Sequence, residues 1–264
     1  MSDPTQGMRR TSVPAFKGGV SAAFIGLVLV LGGVGYELAI GRGGVIGVFT
    51  FVLVGWIVSI CLHEWGHAIT AWFGGDRAVA ERGYLTLNPV RYVNPWMSIV
   101  LPLAFLMLGG IGFPGGAVWV NKDALKNNVW RAAVSAAGPL MNLVCLFALA
   151  LTLRFVPMGP ALTAAISMLA VLQATAVLLN LLPIPGLDGF GILETILPAN
   201  ERAALAPIAS FVGIACLVLL FLVPELATPI WNVAIQICNL LGVISGNITE
   251  GYRLFQFWSV GDIG

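Results

Sequence analysis

The stretch GGVIGVFTFVLVGWIVSICLHEWGH, residues 43–67, decides the fold. From Gly43 to Leu62 it carries no Asp, Glu, Lys or Arg. A run of about 20 such residues, wound as a helix, crosses the roughly 30 Å hydrocarbon layer of a membrane. It leads into His63, Glu64 and His67, and the chain then turns apolar again from Ala68 to Phe73. Ionisable groups inside a membrane helix are expensive and by default functional. His63 and His67, four residues apart, project from one helical face and can hold one zinc ion, while Glu64 reaches the metal's water as a base. They are the only two histidines of the chain. The plainer reading is two buried histidines satisfied by hydrogen bonds, with Glu64 as their ion-pair partner. The cost of three such groups at this depth weighs against it.

Composition places the rest of the chain in the same solvent. Of 264 residues, 58% are hydrophobic and only 9% charged, with a mean hydropathy of +0.94. Soluble domains carry about a quarter charged residues, so a soluble enzyme is excluded. A net charge of +1, from scattered lysines and arginines, provides no basic field, which argues against nucleic acid as a partner. The uncharged stretches predict an all-α polytopic membrane protein of about six transmembrane helices, near residues 18–40, 45–73, 131–153, 161–182, 205–223 and 229–246. Residues 95–120 differ, because Gly109, Gly110, Gly112, Pro114, Gly115 and Gly116 break the apolar run. Non-helical backbone at membrane depth must be covered by protein or line a wet cavity, so a Gly-rich re-entrant segment is expected there, as a substrate-binding edge or as a packing loop. The polar tail Met1–Lys17 precedes an apolar run too long for a signal-peptide core. The first helix is therefore read as retained, and residues 1–264 as one membrane-embedded domain with a core near residues 45–190.

The basic residues predict an orientation. If residues 95–120 do not cross, Arg9, Arg10, Lys17, Arg77, Arg82, Arg91, Lys122, Lys126, Arg131, Arg202 and Arg253 share one side, against Arg42 and Arg154 on the other. By the positive-inside rule the larger group is cytoplasmic, which places both termini there in a multi-pass protein of the cell (inner) membrane. Cys61, Cys145, Cys216 and Cys238 all fall within expected helices without pairable spacing, so neither a disulfide nor a metal role is assigned to them.

A zinc site with two histidines needs a third protein ligand and keeps a fourth position for water. The segment Asn180-Leu-Leu-Pro-Ile-Pro-Gly-Leu-Asp188-Gly189 offers one, because Pro183 and Pro185 end the preceding helix and the chain beyond them can aim Asp188 back into the bundle. His67 lies about 10 to 15 Å from the cytoplasmic end of its helix at 1.5 Å per residue, so Asp188 meets it only if its own helix descends to the same side. That requires an even number of crossings between Phe73 and Arg131, the count the basic residues also favour. An ordinary turn aspartate before glycine is the plainer reading of Asp188, and Glu194 is the competing ligand.

In Ala136-Ala-Gly138-Pro139-Leu-Met-Asn142, Gly138 permits close helix approach, Pro139 loosens backbone bonding, and Asn142 places an amide within the membrane. That amide serves helix packing or donates to the oxyanion formed when water attacks a carbonyl. Asn180 is given a supporting role.

Together these motifs resemble the site-2 protease family of intramembrane zinc metalloproteases. His63-Glu-Trp-Gly-His67 is similar to the family's metal-binding helix, Leu187-Asp188-Gly189 to its distal metal motif, and Gly138-Pro-Leu-Met-Asn142 to its Gly-x-x-x-Asn element, over residues 60–189. The resemblance implies hydrolysis of a peptide bond in or next to the transmembrane segment of a membrane-anchored protein or peptide. It also implies a re-entrant, substrate-bordering role for the segment from Thr86-Leu-Asn-Pro89 to Val120, and a minimal form without PDZ or regulatory domain. The expected mechanism has one zinc per chain on His63, His67 and Asp188, Glu64 as general base and acid, and Asn142 sharing the developing oxyanion with the metal. The rival from another class is a non-enzymatic zinc transporter or sensor, which needs no glutamate beside His63. A second rival is a zinc membrane protease of another family with Glu194 as the third ligand.

Overall fold

The computed structural model describes residues 18–92 and 118–256. The expected re-entrant segment, apart from Val118, Trp119 and Val120, lies outside the described residues. The described residues are helical: α1 (Ala22–Ala39), α2 (Gly44–Gly74), the short α3 (Ala78–Glu81) and α4 (Pro89–Tyr92), α5 (Asn128–Phe155), α6 (Pro160–Asn180), the short α7 (Asp188–Leu193), α8 (Ala199–Leu222), α9 (Pro224–Leu240) and α10 (Ser245–Phe255). Five of them, α1, α2, α5, α6 and α8, are long and apolar enough to cross a membrane.

Local chemistry sets the helix ends. Ser21 caps α1 by accepting from the Phe24 amide, and Asn127 caps α5 by accepting from the Trp130 amide. Gly159 precedes Pro160, which takes the first turn of α6, where its missing N–H costs nothing. α2 starts after Gly43 (φ 88°) and stops at Gly75 (φ 124°), backbone angles that side chains resist. At 31 residues α2 spans about 46 Å, more than the hydrocarbon layer requires, so its last turns lie at or beyond the boundary.

α6 is the central helix: from Ala164 to Ala176 every residue is buried. Around it pack Val48, Phe51, Val52 and Trp56 of α2, Leu146 and Ala150 of α5, and Ala234 and Cys238 of α9. Lipid is as apolar as leucine, so helices in it associate through close packing rather than by escaping water. Glycines supply the proximity. A methyl group on Gly55 would stand 2.5 Å from Leu169 Cδ2, and one on Gly66 would stand 2.9 Å from the Ala137 carbonyl oxygen. These two positions lock α2 against α6 and α5. All four cysteines are free.

The chain returns to the end of α2 that it left. The Lys126 amide donates to the Gly74 carbonyl (2.9 Å), and the Asn121 amide to the buried Asp76 carboxylate (2.7 Å). α5 therefore starts beside the C-terminal end of α2, which satisfies the even crossing count expected between Phe73 and Arg131. α1 starts at this end too, with Gly19 and Ser21 amides on the Leu85 and Thr86 carbonyls.

The C-terminal third departs from expectation. The helix expected near 229–246 is α9, and it ends at Leu240, where Gly242 (φ 84°) turns the chain. An unforeseen amphipathic helix, α10, follows and buries Ile248, Gly251 and Phe255. Leu220, near the end of α8, packs on Leu179 at the C-terminal end of α6. Phe255 stacks on Phe49 near the start of α2, with ring centroids 5.1 Å apart. α8 and α9 thus carry the chain once, not twice, from the Gly74 end of the bundle to the Gly44 end. Gly19 and Phe255 lie at opposite ends of the bundle, and the termini themselves lie outside the described residues.

Candidate metal centre

His63 and His67 face α5 from consecutive turns of α2, both buried, with ring centroids 4.7 Å apart. Their outer nitrogens are engaged. His67 Nδ1 lies 2.7 Å from the Val134 carbonyl, which can only accept, so Nδ1 carries the proton. Pro139 lacks the N–H that would bond the Ser135 carbonyl, which opens the same stretch of α5. His63 Nδ1 lies 2.5 Å from Asn142 Oδ1. Both Nε2 atoms are left to face one point, 3.1 Å apart.

Gly138 explains how two imidazoles fit against a helix. A methyl group there would stand 2.6 Å from His63 Cε1 and Nε2 and closer still to His67 Nε2. Asn142, one turn on, then reaches His63 from the same face of α5.

Asp188 arrives from the other side. Gly186 (φ 97°) turns the chain after Pro185. Gly189 packs on the Leu181 and Leu182 carbonyls and Gly191 on the Ser135 hydroxyl, contacts that leave no room for a side chain at either glycine. The Asp188 carboxylate is thereby held with Oδ2 at 3.4 Å from His63 Nε2 and Oδ1 at 3.4 Å from His67 Nε2.

The donor set fits zinc. Ligands about 2.0–2.1 Å from a tetrahedral ion stand roughly 3.3 Å from one another. The two Nε2 atoms stand 3.1 Å apart, each lies 3.4 Å from a different oxygen of the Asp188 carboxylate, and one ligand atom from each residue lies within 4.8 Å of the others. Asp188 Oδ2 is buried with no hydrogen-bond donor, a state a carboxylate tolerates when a cation is its partner. Among the described residues His63, His67 and Asp188 are the only group of three such side chains able to hold a metal ion. Glu194, the competing ligand, is instead bound to Lys122 Nζ at 2.5 Å.

Glu64 is also buried, and its Oε2 accepts from the Val118 amide at 2.9 Å. The first described residue after the Gly-rich segment is therefore in direct contact with the expected base. Asn180 is buried, with its amide nitrogen unpaired. Two residues escaped the sequence reading. Gln173 accepts from Asn142 Nδ2 (2.8 Å) and donates to Ser59 Oγ (3.0 Å), all fully or nearly buried. The available signal was a single glutamine in a membrane helix without an ionisable residue.

An α-helical membrane bundle with a buried His-Glu-x-x-His helix and a distant aspartate closing its metal triangle defines the class of membrane-embedded zinc metalloproteases. Comparison with known proteins agrees. The chain is 47% identical over 216 residues to "Putative zinc metalloprotease Rip2" of Mycobacterium tuberculosis, covering 81% of this chain and 83% of that protein. It is 44% identical to the protein of the same name in Mycolicibacterium smegmatis, with the same coverage. It is 30% identical over 191 residues to "Putative zinc metalloprotease YwhC" of Bacillus subtilis, covering 69% of this chain and 84% of that protein. No protein-family model matches the chain, and no solved structure does. The chain belongs to the site-2 protease family of intramembrane zinc metalloproteases, alongside the Rip2 and YwhC proteins.

Proposed function

We propose that this centre hydrolyses a peptide bond in or next to the transmembrane segment of a membrane-anchored protein or peptide. The observation that carries the reading is the convergence of His63, His67 and Asp188, each offering one ligand atom within 4.8 Å of the others, a three-ligand set that leaves the fourth position of a tetrahedral zinc for water or substrate. A bound zinc supplies Lewis acidity to a peptide carbonyl and makes water acidic enough to ionise near neutral pH. Glu64, next to His63 and buried, takes the proton of the attacking water and returns it to the leaving nitrogen. Val134 and Asn142 hold the two imidazoles with Nε2 facing the metal position. The amide of Asn142 is already donated to Gln173, so in this arrangement its service is to His63 rather than to an oxyanion.

Residues 1–264 are read as one protease domain whose core is α2, α5, α6 and α7. Arg77, Arg82, Arg91, Lys122, Lys126 and Arg131 surround the Gly74 end, which supports placing that end in the cytoplasm of a cell (inner) membrane. The site then opens within a few turns of the cytoplasmic surface. A transporter or sensor is not favoured, because the described spans place no further ionisable path through the layer.

The test is Glu64→Gln. The variant is expected to keep stoichiometric zinc and to lose cleavage of a single-span reporter by about 100-fold or more. Full activity in Glu64→Gln would remove the protease reading.

A further inference from the structure

We infer that Gln173 and Ser59 are positioning residues for the metal centre, fixing through Asn142 which nitrogen of His63 is presented to zinc. The inference rests on the reading of His63 as a ligand.

The side chains form one unbranched chain of hydrogen bonds from α2 through α6 to α5 and back. Ser59 Oγ lies 2.8 Å from the Trp56 carbonyl, Gln173 Nε2 lies 3.0 Å from Ser59 Oγ, Asn142 Nδ2 lies 2.8 Å from Gln173 Oε1, and His63 Nδ1 lies 2.5 Å from Asn142 Oδ1. All four side chains are buried. Water therefore does not repair a broken link, and each unpaired group costs its full desolvation.

Such a chain runs in one of two directions. An amide side chain offers an oxygen at one branch and a nitrogen at the other, so turning Gln173 around forces Asn142 to turn as well. In the reversed chain Asn142 donates to His63 Nδ1, the proton moves to Nε2, and no lone pair is left for the metal. Neither amide decides this by itself, because both are acceptors and donors at once. The decision is made at the far end. The Trp56 carbonyl can only accept, so Ser59 spends its one proton there, and its oxygen is left to accept from Gln173 Nε2. Gln173 Oε1 then faces Asn142 Nδ2, Asn142 Oδ1 faces His63, and His63 Nδ1 must donate. A backbone carbonyl two turns before His63 on its own helix thus selects the imidazole tautomer through three side chains. His67 needs no such device, since the Val134 carbonyl acts on it directly.

The experiment measures zinc affinity of the purified full-length protein in detergent, by competition with a chromophoric chelator. Gln173→Met keeps the volume and removes both bonds, while Ser59→Ala removes only the anchor. Each is expected to weaken zinc binding by about 10- to 100-fold, the usual range for groups that orient a metal-bound histidine. Because both act through one chain, Gln173→Met/Ser59→Ala should bind zinc about as well as Gln173→Met alone. Thr175→Val is the control for polar loss in the same helix, since its hydroxyl bonds only the Val171 carbonyl, and it should leave zinc affinity unchanged. Zinc affinity unchanged in Gln173→Met or Ser59→Ala overturns the inference, as do additive losses in the double variant. If Gln173→Met does not fold, Ser59→Ala carries the same decision. Failure of the unmodified protein to bind zinc would instead strike the underlying reading of the site.

Discussion

Gly138 passes His63 so closely that a single methyl group on its Cα would stand 2.6 Å from two atoms of the imidazole. Real carbon contacts are wider by about an ångström. Gly138→Ala must therefore push α5 away from α2 or turn the histidines off their common point. Both moves separate the Nε2 atoms from Asp188, and overpacking of this kind costs about 1–3 kcal/mol even where nothing but packing is at stake. The expected result is a folded protein of normal helicity with at least about tenfold weaker zinc binding, measured as zinc retained on dialysis against a graded chelator.

Asp188 and Glu194 were rivals for the third ligand as long as only spacing was considered. Asp188→Asn is expected to strip zinc from the purified protein, because an amide replaces the one anionic ligand of the triangle. Glu194→Gln is expected to retain it. That change removes only the contact with Lys122, a partly exposed pair whose loss costs at most about 1 kcal/mol. Elemental analysis of the two proteins side by side reads the difference. Zinc lost from Glu194→Gln and kept by Asp188→Asn would invert the assignment.

These two residues mark the boundary of what the sequence discloses. His63 and His67 were legible because a helix converts a spacing of four into a shared face, and the apolar run around them requires a helix. Asp188 was legible as a candidate only, since its approach depends on the turn at Gly186 and on contacts of Gly189 and Gly191 that no local rule predicts. Gln173 was not legible. Its role exists only because α6 packs between Ser59 of α2 and Asn142 of α5, and helix packing in lipid leaves a faint trace in composition. α10 was hidden for a related reason: its apolar residues form one narrow stripe, Ile248, Gly251 and Phe255, too sparse for a membrane span.

The position of α10 predicts where the chain's C-terminal part emerges. Phe255 lies at the Phe49 end of the bundle, whereas Arg82 lies beyond the opposite end of α2. Single cysteines placed at Arg82 and Arg253 should therefore react on opposite sides of the membrane. Arg253 is half-exposed and Arg253→Cys breaks only its surface pair with Glu250, so the fold should tolerate the label. With a membrane-impermeant maleimide on intact spheroplasts, Arg253→Cys is expected to label, and Arg82→Cys only after lysis. Labelling of both sites, or of neither, before lysis would contradict the single crossing made by α8 and α9.

Gly251 tests whether α10 stabilises the bundle independently of the metal centre. A methyl group on Gly251 would meet the Ala164 carbonyl and stand 2.8 Å from Met168 Cβ, so α10 sits on α6 through backbone contact. Gly251→Leu forces the two helices apart and should lower stability by about 1–3 kcal/mol, seen as a lower thermal midpoint in detergent. Ala164 lies near the start of α6, while Asp188 follows its other end, and the helix from Ala164 to Asn180 is about 24 Å long. Zinc affinity measured below the midpoint should therefore match that of the unmodified protein. A loss of zinc in folded Gly251→Leu would show that the contact of α10 with α6 is coupled to the metal centre, with Gln173, five residues beyond Met168 on α6, as the link.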